Sequence, residues 1–326
     1  MGFSKTVAST LTCFALSGAL AGAQQRGTAI PPGSHVTGHL FIATQTEQLW
    51  QVLRFPIVDD KTVYAPDRAY LNVSPPIAVG PDGALYGAIT SDYNANIVVY
   101  AKDAYAPSHY LYLPAPPPSY YGYDTAMTVD RAGYLFVSHY YEGSADAKRP
   151  INTVGTFVYA PGSKGYDKPL RTIGMPNAFG MSTDAKGSLY VANVSEVDVY
   201  DTPVKRPKLA RKIFGSTFQG QNVAEALTID GTTLYVFDGP YGGGPSQDVS
   251  AYAAASQGPV NPLRTISLAG NLAPSGAVGV SGIGLFVPLM ATNDAAFLEY
   301  NKYDRGRPRI IDQGAYGEPL AIAAGP

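Results

Sequence analysis

The sequence predicts an all-β fold: a six-bladed β-propeller with four-stranded blades, its ring closed by the C-terminal strand joining the N-terminal blade. Three observations predict it. One pattern recurs along the chain: an apolar strand, an Asp or Gly turn, a Leu-Tyr-Val-like strand, a variable loop, an apolar run ending in Tyr, and a closing Arg-x-Ile strand. Composition is rich in turn formers and aromatics, with Gly 35, Pro 27 and Tyr 24, and no segment sustains a capped 3.6-residue apolar period, so no helix of note is expected. Finally, the two ends of the chain each carry part of one repeat. A unit of this kind cannot bury both faces alone, and copies must stack.

The elements follow in order. Lys5, the apolar stretch Val7 to Leu20 and the small residues Ala21-Gly22-Ala23 read as a secretory signal peptide over residues 1–23, too short and wrongly flanked for a membrane span. A lipoprotein signal using Cys13 fits less well, because Thr10, Leu11 and Thr12 make a poor lipobox. Cys13 is the one cysteine, so the exported chain holds no disulfide. Residues 24–38 form a Gly- and Pro-bearing linker, and 39–326 form a single propeller domain.

Within that domain the second-strand leucines are Leu40, Leu85, Leu135, Leu189, Leu234 and Leu285. Each is preceded by an apolar strand except Leu40. The missing strand stands at the other end, where Pro319 to Pro326 has the shape of Pro76 to Pro81. Joining the ends in one blade removes two unpaired sheet edges. Asp82-Gly83, Asp130, Asp184 and Asp230-Gly231 are expected in the first hairpin of their repeats as turn residues rather than metal ligands. Tyr100, Tyr159, Tyr200, Tyr252 and Tyr300 end the third strands and are expected to pack between blades. Arg171, Arg264 and Arg309 fall in the last strand, read as a charged solvent-facing rim.

The text from Met127 to Ile173 and from Met181 to Ile213, with its D-x-x-G-x-L-Y-V core, resembles the NHL-type and YVTN-type propeller repeats of secreted bacterial proteins. The resemblance covers Leu40 to Pro326 and is interrupted by Gly87 and Pro288. It implies architecture and no single reaction, since such rings serve as binding scaffolds, lactonases and lyases.

Composition excludes some partners. Charged residues make up 15%, net charge is −2 and no basic block occurs, which argues against nucleic acid. A soluble monomer is expected. There is no HExxH, no P-loop and no nucleophile elbow; Gly242-Gly243-Gly244 reads as a loop tip.

Aligning the repeats brings two columns of side chains to one end of the ring. One holds Pro75, Thr125, Phe179, Glu225, Gly276 and Glu318; the other holds Thr44, Ile89, His139, Asn193, Asp238 and Leu289. This places Glu225, Glu318, Asp238, Asn193, His139 and Asp124 around an axial mouth. Oxygen donors of that kind suit a divalent cation such as Ca²⁺. The set resembles that of gluconolactonase-like propellers, which implies Glu225 and Glu318 as metal ligands of a hydrolase or lactonase, although Phe179, Pro75, Thr125 and Gly276 stand where further ligands are wanted. The other reading needs no cofactor. Long loops bring Tyr140, Tyr141 and Tyr241, with Tyr120, Tyr121 and Tyr123, to the same face, and rigid aromatics favour binding of a protein or carbohydrate. The expected function is therefore an exported scaffold with a Tyr-rich loop face; the alternative is the metal-dependent hydrolase.

Overall fold

The computed structural model describes residues 30–326 apart from 47–48, 60–61, 64, 90–95, 116–119, 144–153, 176–177, 218–221, 241–247, 268–278, 281–283, 291–294, 301–308 and 313–317. Every regular element among them is a β-strand and none is a helix. Hydrogen-bond ladders group the strands into six sheets. The first holds Val36–Gln45, Trp50–Val58, Thr62–Val63 and Arg68–Leu71, and the second Ser74–Val79, Leu85–Ile89, Asn96–Tyr100 and His109–Tyr112. The third holds Tyr120–Val129, Leu135–Gly143, Val154–Tyr159 and Arg171–Gly174, and the fourth Gly180–Thr183, Leu189–Asn193, Glu196–Asp201 and Lys208–Gly215. The fifth holds Asn222–Asp230, Thr233–Pro240, Asp248–Ala253 and Arg264–Ser267, and the sixth Gly279–Val280, Leu285–Met290, Ala295–Tyr300 and Arg309–Asp312.

All six anchor leucines lie in second strands, as the repeat predicts. The C-terminal strand Glu318–Gly325 pairs antiparallel with Val36–Gln45, from His39 opposite Gly325 to Gln45 opposite Glu318. That first strand starts at Val36, inside the segment expected as linker. The whole is a β-propeller arrangement. Five blades are recognised in it, one fewer than the sequence predicts, although the ladders hold six sheets. The sparsest sheet opens on the two-residue strand Gly279–Val280, which is flanked by residues outside the described set.

The sheets stack face to face, and this sets the sequence pattern. Leu189–Asn193 is buried at every position because it is covered on both faces, so second strands read as apolar runs rather than alternations. Each core cluster lies between two sheets. Ile97, Val99 and Leu111 of the second meet Val137, Phe157 and Tyr159 of the third; Tyr190 and Val199 of the fourth meet Leu234 and Tyr252 of the fifth. Another cluster joins Leu40, Phe55 and Ile322 of the first sheet with Phe286 of the sixth. The strand-end tyrosines pack as predicted: Tyr100, Tyr159, Tyr200 and Tyr252 are all buried, each contributing roughly 2 kcal/mol of apolar burial. Tyr300 has its side chain outside the described residues.

The acidic turn residues also do what the sequence asks of them. Asp130 Oδ1 accepts from the amides of Ala132 and Tyr134 at 2.9 Å, and Asp184 Oδ1 accepts from Lys186 and Ser188 at 2.9 Å. Three residues on, Gly133 and Gly187 take φ of 88° and 82°, a region costly for any side chain.

One feature is absent from the sequence reading. The connectors between third and fourth strands reach back onto the preceding sheet. In the second sheet, Asp103 accepts from Arg54 through its carboxylate and from Arg68 Nη1 through its carbonyl, at 2.7 Å for the latter, and Tyr105 lies 3.9 Å from the Arg68 guanidinium. Arg54 also forms a two-pronged pair with Asp67 at 2.9 and 2.8 Å. In the third sheet, the Gly165 amide donates to Tyr110 O at 2.6 Å, its carbonyl accepts from the Tyr112 amide at 2.7 Å, and Tyr166 stacks on Tyr112. In the fourth, Val204 O accepts from Arg171 Nε. In the fifth, Gly258–Val260 pairs in parallel with residues 213–215. Arg171 is exposed, as expected of a charged solvent edge, and through Val204 O it also links two sheets.

Candidate functional site: the axial cavity and its buried acids

The inner strands of the first five sheets wall a cavity of about 400 Å³. Small side chains, among them Ala78, Ala126, Ala226 and Ala321, keep it open, and Thr128 and Thr228 add hydroxyls. Asp124 is the carboxylate among its described lining residues.

β-Bulges shape the mouth. Ser138 pairs with Ala126 and His139 with Asp124, so Thr125 is the extra residue; Ala224 and Ala226 flank Glu225 in the same way. In the second sheet Pro75 and Pro76, joined by a cis peptide bond, are extra between Ser74 and Ile77. In the first sheet the extra residue is Leu320, between Pro319 and Ala321. Thr125 and Glu225 therefore share a register, as the column alignment has them. Glu318 does not; it lies further out along its strand, opposite Gln45. The backbones of Glu225 and Glu318 are placed, whereas their side chains, like all of Tyr241 and the side chains of Tyr120, Tyr121 and Tyr123, lie outside the described residues.

Asp124 and His139 come together. Asp124 Oδ1 is 2.8 Å from His139 Nδ1, and each side chain is 1% exposed. Burial raises the Asp124 carboxyl pKa, and the contact with His139 opposes that rise. Tyr141 meets the imidazole edge-on at 4.7 Å and donates its hydroxyl to Pro114 O at 3.1 Å. Tyr140 is half-buried beside it. The imidazole also packs on Gly122, where an added Cβ would stand 2.6 Å from Nε2. Gly122→Ala is accordingly expected to push the ring off Asp124 at a cost of about 2 kcal/mol. Chemical denaturation measures the cost, and an unchanged His139 resonance in NMR would contradict the displacement.

Asp238 and Asn193 stand elsewhere, at different sheet interfaces and with partners of their own. Thr217 donates to Asp238 Oδ2 at 2.6 Å and lies 2.7 Å from the Tyr252 hydroxyl. Burial pushes the Asp238 carboxyl up to about 6, opposed by the hydrogen bond from Thr217. Such a group binds its proton more tightly folded than unfolded. Its contribution to stability is present below the unfolded value of 3.8 and is lost as pH rises through about 6. Asp238→Asn is expected to stabilise the protein by roughly 2 kcal/mol at pH well above that window and by little below it. Melting curves at the two extremes test this; an equal effect at both would refute it. Asn193 hydrogen-bonds Asp198, whose carboxyl is raised by burial and by Glu196 and held back by Lys212. Lys212 in turn pairs with Glu196 at 2.6 Å.

The structure thus unites Asp124, His139 and Tyr141, of which Asp124 is a lining residue of the cavity, and sends Asp238 and Asn193 to neighbouring interfaces. Among the described residues no three of His, Cys, Asp and Glu gather as a metal-holding group. Thr217 and Asp198 were missed by sequence reasoning, because neither sits at an aligned repeat position that marks it. Chemically, the cavity offers the hydroxyls of its threonines to a polar ligand, with the histidine-bound Asp124 carboxyl buried behind its wall.

Fold and site together define the chain as a β-propeller protein. No family model matches it and no curated protein matches its sequence. Solved structures resemble it in fold. TolB from Acinetobacter baumannii superposes with a TM-score of 0.58 at 11% identity, covering 89% of this chain and 67% of that one. A Bacteroides fragilis protein whose name proposes a 6-phosphogluconolactonase gives 0.54 at 12%, covering 90% and 99%. The periplasmic gluconolactonase of Pseudomonas aeruginosa gives 0.52 at 15%, covering 88% and 98%. At these identities the likeness is one of fold alone. No helix among the described residues is long and apolar enough to cross a membrane.

Proposed function

We propose that the protein is an exported six-bladed propeller, closed by its C-terminal strand, that acts as a binding scaffold for a protein or carbohydrate through its Tyr-rich loop face. The observation that carries this reading is the setting of Tyr141, fixed by its hydroxyl on Pro114 O and by its ring on His139. An aromatic side chain held in place before contact loses little freedom on binding. Asp238 and Asn193 are engaged inside sheet interfaces, which favours a structural part for them. The joining of Glu318–Gly325 to Val36–Gln45 and the contact of Phe286 with Ile322 support six blades and closure. Residues 1–23, with the extracytoplasmic setting named for the Pseudomonas aeruginosa fold neighbour, support export.

The test is binding of the mature chain to a glycan array and to envelope extracts. Retention that Tyr141→Ala abolishes supports the loop face; retention unaffected by Tyr141→Ala, or none at all, refutes it. A second reading, a metal-dependent hydrolase, draws on one observation: Asp124, a lining residue of the cavity, has its buried carboxyl paired with His139. Calcium retained after dialysis, with lactone hydrolysis lost in Glu225→Gln, would favour that reading, and Ca²⁺ would raise the melting temperature by mass action.

A further inference from the structure

Two tyrosines stand out of the rim on the face opposite His139. Tyr105 is 82% exposed and Tyr166 is 84% exposed, in a protein whose described strand-end tyrosines are buried. They occupy the same place in consecutive repeats, the connector between third and fourth strands. That connector lies beside the first hairpin turn: Gly133 approaches Pro161, and Gly83 approaches Lys102. His139 stands halfway along the strand that this turn opens, and Tyr141 further toward its other end.

Both rings are held firmly. Tyr105 is backed by the Arg68 guanidinium, and Tyr166 by Tyr112, with its backbone clamped through both hydrogen bonds of Gly165. Each therefore offers a fixed, solvent-facing aromatic surface, and Tyr110 at 41% exposure adds a third. Cations outnumber anions around them. Asp103 is paired with Arg54, while Asp167 accepts from the Lys164 amide and keeps its charge. Lys102, Lys164 and Lys168 are exposed with no ion pair among the described residues. The strip is cationic in a chain whose net charge is −2.

We infer that this rim strip binds an anionic polysaccharide, a uronate-bearing glycan. Aromatic faces one repeat apart suit a polymer that presents its apolar sugar faces repeatedly, and the three lysines complement its carboxylates. Arg54 and Arg68, whose planar forks would favour phosphate, are committed to Asp67, Asp103 and Tyr105. The strip lies on the opposite face from the loop surface of the proposed function, so the two readings stand or fall separately.

The experiment is affinity electrophoresis of the full chain in gels containing polygalacturonate, at low ionic strength. Expected is retardation that salt weakens and that Tyr105→Ala/Tyr166→Ala reduces by tenfold or more in apparent affinity, on the order of a hot-spot loss for two rings. Lys164→Gln/Lys168→Gln, at two exposed positions, is expected to weaken it severalfold and decides alone should the aromatic variant unfold. No retardation of the wild-type chain, retardation that survives these variants, or equal retardation by poly-glutamate or by single-stranded oligo(dT) would overturn the inference.

Discussion

A chain lacking residues 318–326 is expected to show no cooperative unfolding transition. The lost strand makes seven register pairs with Val36–Gln45, and ladder hydrogen bonds contribute about 1 kcal/mol each. It also removes buried Ala321 and Ile322 and the contact between His39 Nδ1 and Pro326 O at 3.1 Å. The sum approaches the whole stability of an ordinary domain, about 5–15 kcal/mol. What remains would expose an unpaired strand edge and open the cluster that Ile322 shares with Phe286. Thermal denaturation followed by circular dichroism is the measurement. A truncated chain with an unchanged melting point would refute the closure.

Gly180→Ala carries the next largest expected effect, a loss of about 3 kcal/mol, at the upper end for overpacking a close-packed site. Gly180 opens the inner strand of the fourth sheet, and an added Cβ would stand 2.7 Å from Ala226 Cα and 2.9 Å from the Leu227 amide nitrogen. Both obstacles are backbone, so no side-chain rotation relieves them, and the two inner strands must separate. Gly174→Ala is the matched control: nothing lies within 4 Å of its added Cβ, and no measurable change is expected. Urea denaturation of the pair decides the matter. Equal midpoints would show that the inner strands of the fourth and fifth sheets are not held at this distance.

Much of the architecture was legible because the repeat writes it several times over. Six leucines marked six second strands, Asp130 and Asp184 marked the turns that their carboxylates close, and Pro319 to Pro326 announced a strand whose hairpin partner is at the other end of the chain. The site was less legible, for a physical reason. Counting along a strand assumes one residue per register step, and the bulges at Thr125, Glu225, Leu320 and the Pro75-Pro76 pair each break that count. Thr125 and Glu225 aligned because their bulges match; Glu318 fell out of line because the bulge in its strand comes two residues later. Asp238 and Asn193 aligned in sequence as mouth residues but turn into sheet interfaces, where Thr217 and Asp198 receive them. The backward reach of the connectors left no trace in the sequence, because it uses mainly backbone groups, as at Gly165 and Gly258–Val260.

That backward reach divides the molecule into a conservative end and an adaptable one. A connector whose amides are committed to the sheet behind it cannot lengthen or shorten without unfastening two blades, so novelty in shape is costly there. At the opposite end the described fastening is a side-chain one, the Tyr141 hydroxyl on Pro114 O, which holds a ring rather than a length of backbone. Grafted loops or drifted sequences would therefore be tolerated at the aromatic end, and new specificities would arise there while the fastened end keeps its shape.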